Sequence, residues 1–288
     1  MNDENILKQI RKDIFLAAYS ASNAHLASAF SIVETTYVLY EQGVLHVNPA
    51  NPRDERRDWF ILSKGHGSLA LYCALYRRGF FDRKTFLSFA KPGSFLGGEP
   101  CFPAAPGVEC STGSLGHGLG FAAGVAYAKK LDRRREQVYC LVGDGECEEG
   151  STWEALSFAA RYGLDNLTVL VDCNGLQKMD RVEAISGVSS FAPHFRVFGW
   201  EVSETDGHDV DAIRACLLAE KRSGKPRAIL LHTVKGKGVS IMEQNPGWHW
   251  RLPRRKELKY FMQELNVTEE ELADAKSLRE RAVCASEA

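Results

Sequence analysis

Two stretches of this chain, Thr168–Val171 (TVLV) and Ala228–Leu231 (AILL), are apolar at nearly every successive position. A strand of that kind buries both of its faces, and only a parallel sheet with helices on each side provides such burial. The neighbouring segments fit the same plan. Helical patterns over 114–131, 151–162 and 209–222 alternate with strands at Gln137–Val142, Leu167–Asp172, near Trp200–Val202 and at Ala228–Thr233. Upstream, Ile6, Ile10, Ile14 and Ala17 recur at helical spacing, predicting a helix over residues 5–21. A second helix is expected over Ser31–Gln42, stopped by Gly43, and a third over Ser68–Arg78 after a short apolar stretch at Trp59–Leu62. Asn48–Asp58 reads as a charged surface turn and 91–113 as a long irregular loop. The expectation is one α/β domain over 1–288, mostly parallel with helices on both faces, with a C-terminal extension from about 245 and a last helix over 268–284.

Composition narrows the function classes. Lys+Arg 36 against Asp+Glu 37 gives a formal charge of −1, so no basic surplus points to nucleic acid. The longest near-apolar run, Leu69–Tyr76, is far shorter than the roughly 18 residues of a membrane helix. The N-terminus, MNDENILKQIRKD, lacks the apolar core of a signal peptide. Eight scattered cysteines contain no CxxC pair. These features predict a cytoplasmic protein acting on small molecules, with no membrane partner.

The sharpest local chemistry is Val142-Gly143-Asp144-Gly145-Glu146, at the end of an apolar strand and before a helix. Glycines on either side of an aspartate permit a tight turn and bring backbone N–H groups close to an anion. The carboxylate is a hard oxygen ligand suited to Mg²⁺, which favours one or two carboxylates plus phosphates. Ser151-x-x-Glu154 reads as a capping box for the following helix, and Gly163 as its end. The next strand ends in Asp172-Cys173-Asn174-Gly175-Leu176. A crossover of that length returns the chain to the same edge of the sheet. Asp144, the Asn174 side-chain oxygen and a loop carbonyl are then positioned to share one Mg²⁺ and a diphosphate.

GDG followed within thirty residues by (N/C)N resembles the thiamine diphosphate fingerprint. Further segments are similar to the N-terminal, diphosphate-binding domain of transketolases. They are ILSKGHGSLALY (Ile61–Tyr72), PGVECSTGSLGHGLG (Pro106–Gly120), DGHD (Asp206–Asp209) and TVKGKGVSIMEQNPGWH (Thr233–His249). The resemblance implies that Asp144, Asn174 and the Leu176 carbonyl hold the divalent ion, and that Gly145 and His66 meet the diphosphate. It implies that Gly113, Ser114 and Leu115 line the middle of the cofactor. Ser28, Lys235 and His249 close over cofactor and substrate, while His25 and Lys64 face the substrate. His25, His66, His249 and Glu149 are the implied catalytic set, Glu149 through a carboxylate contact across a subunit interface. His46, His194 and His232 read as ordinary histidines, and Gly116, Gly120, Gly124 and Ala128 as a small-residue stripe for close packing.

In the family, a carboxylate on a separate pyrimidine-binding domain drives ionisation of the cofactor. The sequence ends at Ala288, so the resemblance implies a second subunit carrying the pyrimidine-binding and C-terminal domains, as two copies of each chain. The expected reaction is transfer of a two-carbon ketol unit from a ketose to an aldehyde. Alternatives are decarboxylating transfer from a 2-oxoacid such as pyruvate, and a non-catalytic scaffold. Three positions depart from the family: Ala24-His25-Leu26 replaces Gly-His-Pro, Cys173 stands where Asn is common, and Glu99 stands where the family has a substrate-facing His. An anionic Glu99 predicts a modified donor or acceptor sugar.

Overall fold

Five parallel strands form one sheet in the order β1-β2-β3-β5-β4: β1 (Trp59–Leu62), β2 (Val138–Gly143), β3 (Leu167–Cys173), β4 (Glu201–Asp206) and β5 (Arg227–His232). A computed structural model of the chain describes residues 2–22, 25–222 and 224–286, with 281–286 as backbone alone. Ala24 and the Cys284 side chain therefore lie outside the described residues.

The four strands β1, β2, β3 and β5 are largely apolar at successive positions because they send alternate side chains into two different cores, whereas β4 (EVSETD) at the edge is polar. Leu141 of β2, Leu170 of β3 and Ile229 and Leu231 of β5 face one core. Cys140 and Val142, Val169 and Val171, and Ala228 and Leu230 face the other. The first core is closed by α1 (Asp3–Ala21), α2 (Leu26–Phe30), α3 (Val33–Tyr40) and α4 (Ser68–Arg77). A short α5 (Arg83–Phe86) adds Phe86 to it. The second core is closed by α6 (His117–Leu131) and α7 (Gly150–Arg161), with α8 (Val182–Ser186) and α9 (Ala192–Val197) over its far end. The helix α10 (Val210–Leu218) returns to the first face, starting where the Asp209 carboxylate accepts the Ala212 N–H at 2.9 Å. Residues beyond 245 pack back onto that face as well: α11 (Leu258–Leu265) puts Phe261 against Phe15, rings 4.8 Å apart, and α12 (Glu269–Ser286) pairs Glu271 with Lys12 at 2.6 Å. No helix among the described residues is long and apolar enough to cross a membrane.

One local expectation needs correction and another needs narrowing. The capping box does not form: α7 begins at Gly150 with Glu149 as its unbonded N-cap, and Ser151 Oγ instead donates to the Gly116 carbonyl at 3.0 Å. The same loop explains why α6 starts at His117 and not at 114, since Gly116 turns the chain at φ +82°. Of the small-residue stripe, Gly116 is where the backbone packs closely within this chain: a Cβ there would lie 2.5 Å from Ser151 Oγ and 2.6 Å from Glu149 Cβ. A Cβ at Gly120 or Gly124 would meet nothing within 4 Å, whereas one at Gly118, off the stripe, would collide with Ser63.

Candidate active site

The carboxyl ends of four adjacent strands open into one cleft of about 580 Å³. β1 delivers Lys64 and His66, β2 delivers Asp144 and Gly145, β3 delivers Asn174, and β5 delivers Lys235. Ligands in open α/β sheets bind at this edge because the strand-end loops converge there.

The floor of the cleft is organised by Asp172, at the end of β3 and fully buried. Its carboxylate accepts from Lys64 Nζ, from Thr233 Oγ1, from Ser31 Oγ at 2.8 Å and from Asn174 Nδ2 at 2.9 Å. Burial alone would raise this acid, but the Lys64 charge and these donors hold it well below the usual carboxylate range. A permanently ionised Asp172 has two consequences. Lys64, only 1% exposed, has its ammonium committed to the floor and not to the open cleft. Asn174 is also oriented, because only its NH₂ donates to a carboxylate, leaving Oδ1 as the atom that serves a cation.

Asp144, Asn174 and Leu176 come together around Gly175, whose N–H donates to Asp144 Oδ2 at 2.6 Å. Asp144 Oδ1 accepts from Gly145 N–H at 2.8 Å, and Asn174 Oδ1 from Leu176 N–H at 3.0 Å. Burial, reinforced by the Asp172 charge, pushes the Asp144 carboxyl up to about 7. Two backbone N–H bonds and the Lys64 charge lower it only in part, and among the described residues no ion pair reaches it. A carboxylate, an amide oxygen and a main-chain carbonyl form a hard oxygen donor set that fits Mg²⁺. A Cβ at Gly145 would lie 2.8 Å from Gln177 Cγ, so glycine keeps that turn open beneath the Gln177–Glu148 hydrogen bond. Lys235 Nζ donates to the Leu176 carbonyl at 2.9 Å and sits 3.4 Å from His249 Nδ1; burial and the Lys64 charge pull it down to about 8.

Around the rim, His25, His66 and His249 form a triangle with ring centroids 5.2 to 5.9 Å apart, and Trp250 stacks on His25 at 6.1 Å. Burial, then neighbouring lysine charge, lowers all three histidines, His66 strongly and His249 to about 4. At neutral pH these rings are uncharged, each with one N–H and one bare nitrogen facing the cleft region. Glu99 lines the opposite wall. One of its oxygens is buried without a hydrogen-bond partner, and burial pushes the acid up to about 7. Burial therefore opposes the charged form of Glu99 that the sequence suggests.

Gly113 and Leu115 also line the cleft, whereas the adjacent Ser114 is exposed and stands outside its lining. Ser28 is buried beneath it: its carbonyl accepts from Lys64 at 3.1 Å and its hydroxyl has no partner among the described residues. Glu149 borders the cleft on the exposed side. Three contributors are not evident from sequence. Asp172 is one, and Gln177, which spans Gly145, is another. The third is Glu146, whose buried carboxylate accepts from Ser63 Oγ, Gly116 N–H at 2.8 Å and Gly143 N–H at 3.1 Å. The signal for Glu146 lies in its place beside GDG, inside an otherwise apolar turn.

Comparison with known proteins places this cleft in context. Residues 2–271 match the family model described as "Transketolase, thiamine diphosphate binding domain". An apulose-4-phosphate transketolase subunit of Phocaeicola vulgatus is 36% identical over 263 residues, covering 91% of this chain and 93% of that protein. The 6-deoxy-6-sulfo-D-fructose transketolase subunit SqwG of Clostridium sp. is 38% identical over 220 residues, covering 76% and 80%. Among solved structures, transketolase from Campylobacter jejuni superposes with a TM-score of 0.83 at 26% identity, covering 99% of this chain but 48% of that one.

Proposed function

Because this chain belongs to the transketolase family, we propose that its cleft is the diphosphate- and metal-binding half of a split transketolase, completed by a second subunit. The observation that carries this reading is that Asp144, which accepts from Gly175 N–H, and Asn174, whose Oδ1 accepts from Leu176 N–H, meet at one loop and line one cleft together with Leu176. The division into subunits is supported by relatives of matching length that are themselves named as transketolase subunits. The reaction is transfer of a two-carbon ketol unit from a ketose to an aldehyde. Thiamine diphosphate, when bound, supplies the carbon nucleophile and stores the electron pair between the two half-reactions.

The residues of this chain then have distinct tasks. Asp144, Asn174 and Leu176 hold Mg²⁺, with Gly145 and His66 at the diphosphate and Lys235 offsetting its charge. Asp172 keeps Asn174 oriented and Lys64 neutralised, so that buried pair adds no net charge of its own. The uncharged His25, His66 and His249 bind ketose and aldehyde oxygens and exchange protons with them, a role that needs both a donor and an acceptor nitrogen. Lys235 beside His249 Nδ1 makes that nitrogen the acceptor and leaves Nε2–H as the donor. Glu149, exposed at the edge, reaches the second copy of the assembly, which we take to contain two of each chain in the cytoplasm. Glu99, whose charged form burial opposes, selects a donor whose hydroxyl pattern differs from that of common sugar phosphates. No observation favours decarboxylating transfer or a scaffold role.

The test is calorimetric titration of thiamine diphosphate with Mg²⁺ into the chain and into its complex with the partner subunit. Tight, Mg²⁺-dependent binding in the complex, lost in Asp144→Ala, is the expected result. Equal binding by Asp144→Ala would overturn the assignment.

A further inference from the structure

The DGHD turn, Asp206–Asp209, follows β4 and has no part in the chemistry above, yet it carries a buried polar chain leading to the cleft. Arg11 of α1 donates to both oxygens of Glu34 on α3, at 2.7 and 2.8 Å, and to the Phe30 carbonyl at 3.2 Å. Glu34 Oε2 lies 3.1 Å from His208 Nδ1, with the two side chains 4% and 12% exposed. On the other side of the ring, the Val234 backbone N–H donates to His208 Nε2 at 2.8 Å. An amide N–H only donates, so Nε2 is bare and the ring proton sits on Nδ1, close to the carboxylate but without hydrogen-bond geometry to it.

Val234 immediately precedes Lys235, between anchors on either side: Thr233 bonds the Cys173 carbonyl through its N–H at 3.3 Å and Asp172 through its hydroxyl, the Val234 carbonyl accepts from Lys237 N–H at 3.1 Å, Gly236 N–H meets the Ala27 carbonyl at 3.0 Å, and the Lys235 carbonyl accepts from Gln244 N–H at 2.9 Å. We infer that His208 is a positioning residue, set beside Glu34 as the Nδ1–H tautomer, whose bare Nε2 fixes the Val234 amide and so places Lys235 at the wall of the cleft. The inference rests on the transketolase reading only where cofactor affinity is its readout.

Two variants separate the halves of the ring. His208→Gln places an oxygen near the Nε2 position and keeps an acceptor for Val234. His208→Asn reaches only the Nδ1 position, leaving the Val234 N–H buried and unpaired. With thermal unfolding used to choose conditions in which all forms are folded, hydrogen exchange at the Val234 amide is measured in the full chain. Protection retained in the Gln variant and lost in the Asn variant is expected; equal exchange in both overturns the inference. Two-bond ¹H–¹⁵N correlation of His208 in the wild-type chain is expected to show Nδ1 protonated, and an Nε2–H tautomer overturns it. In the complex, thiamine diphosphate with Mg²⁺ is expected to bind about tenfold more weakly to the Asn variant, with Gln near wild type. Unchanged affinity in the Asn variant refutes placement of Lys235. If the wild-type complex itself fails to bind, the functional reading falls, and the exchange and tautomer results still decide the role of His208.

Discussion

The floor and the rim of the cleft lie a few residues apart in sequence yet differ in how their polar groups are matched. On the floor, Asp172 has four donors, Lys64 has its counter-ion, and Glu146 ties three loops together through Ser63, Gly116 and Gly143. Along the rim and ledge, among the described residues, Asp144 has no ion pair, Glu99 keeps a buried oxygen unpartnered, and three histidines are discharged. Buried polar groups left unmatched cost free energy, so a chain retains them where something else is to match them. The floor is finished by this chain alone; the ledge and rim await a ligand.

The largest expected effect lies on the floor. Lys64→Met leaves Asp172 ionised and buried without its counter-ion, and loses about 3–5 kcal/mol of stability in chemical denaturation. Adding Asp172→Asn should recover part of that loss. A loss under about 1 kcal/mol would erase the difference between floor and rim.

On the ledge the effect is smaller and depends on pH. Asp144 sits at about 7 in the folded chain against an ordinary 3.8. For a group raised by folding, the stabilisation relative to the unfolded chain is complete below 3.8 and is lost as pH rises through about 7. The cofactor-free chain should therefore lose about 2–4 kcal/mol of stability over that interval through this group alone. The lowered histidines slope the other way, so the measurement is the difference between wild type and Asp144→Asn in urea at several pH values. Parallel curves would show that Asp144 is already matched within the chain.

At the rim the stability effect should nearly vanish. Glu99→Gln should shift stability by no more than about 0.5 kcal/mol while changing the ranking of ketose donors in steady-state kinetics of the complex. A variant that unfolds, or one with an unchanged donor ranking, would place Glu99 with the floor instead.

What is legible in the sequence follows the same division. GDG and the Asn174–Leu176 loop can be read because each is a short local pattern at a strand end, and the apolar runs of β3 and β5 announce a two-faced sheet. The Lys64–Asp172 pair joins β1 to β3 across more than a hundred residues, and no spacing rule connects them. Ser151 misleads because a hydroxyl three residues before a glutamate looks like a cap until a neighbouring loop presents a better acceptor, here the Gly116 carbonyl. Gln177 carries no signal of its own, since its role depends on lying over Gly145.

The loop bearing Glu99 is pinned through its main chain: Ser68 Oγ donates to the Gly98 carbonyl at 2.6 Å and Tyr72 OH to the Glu99 carbonyl at 3.1 Å. Neither bond involves the Glu99 side chain. The path of the loop is therefore held independently of the Glu99 carboxyl, and a side chain of similar size at position 99 changes what the wall presents while the main chain keeps its two anchors.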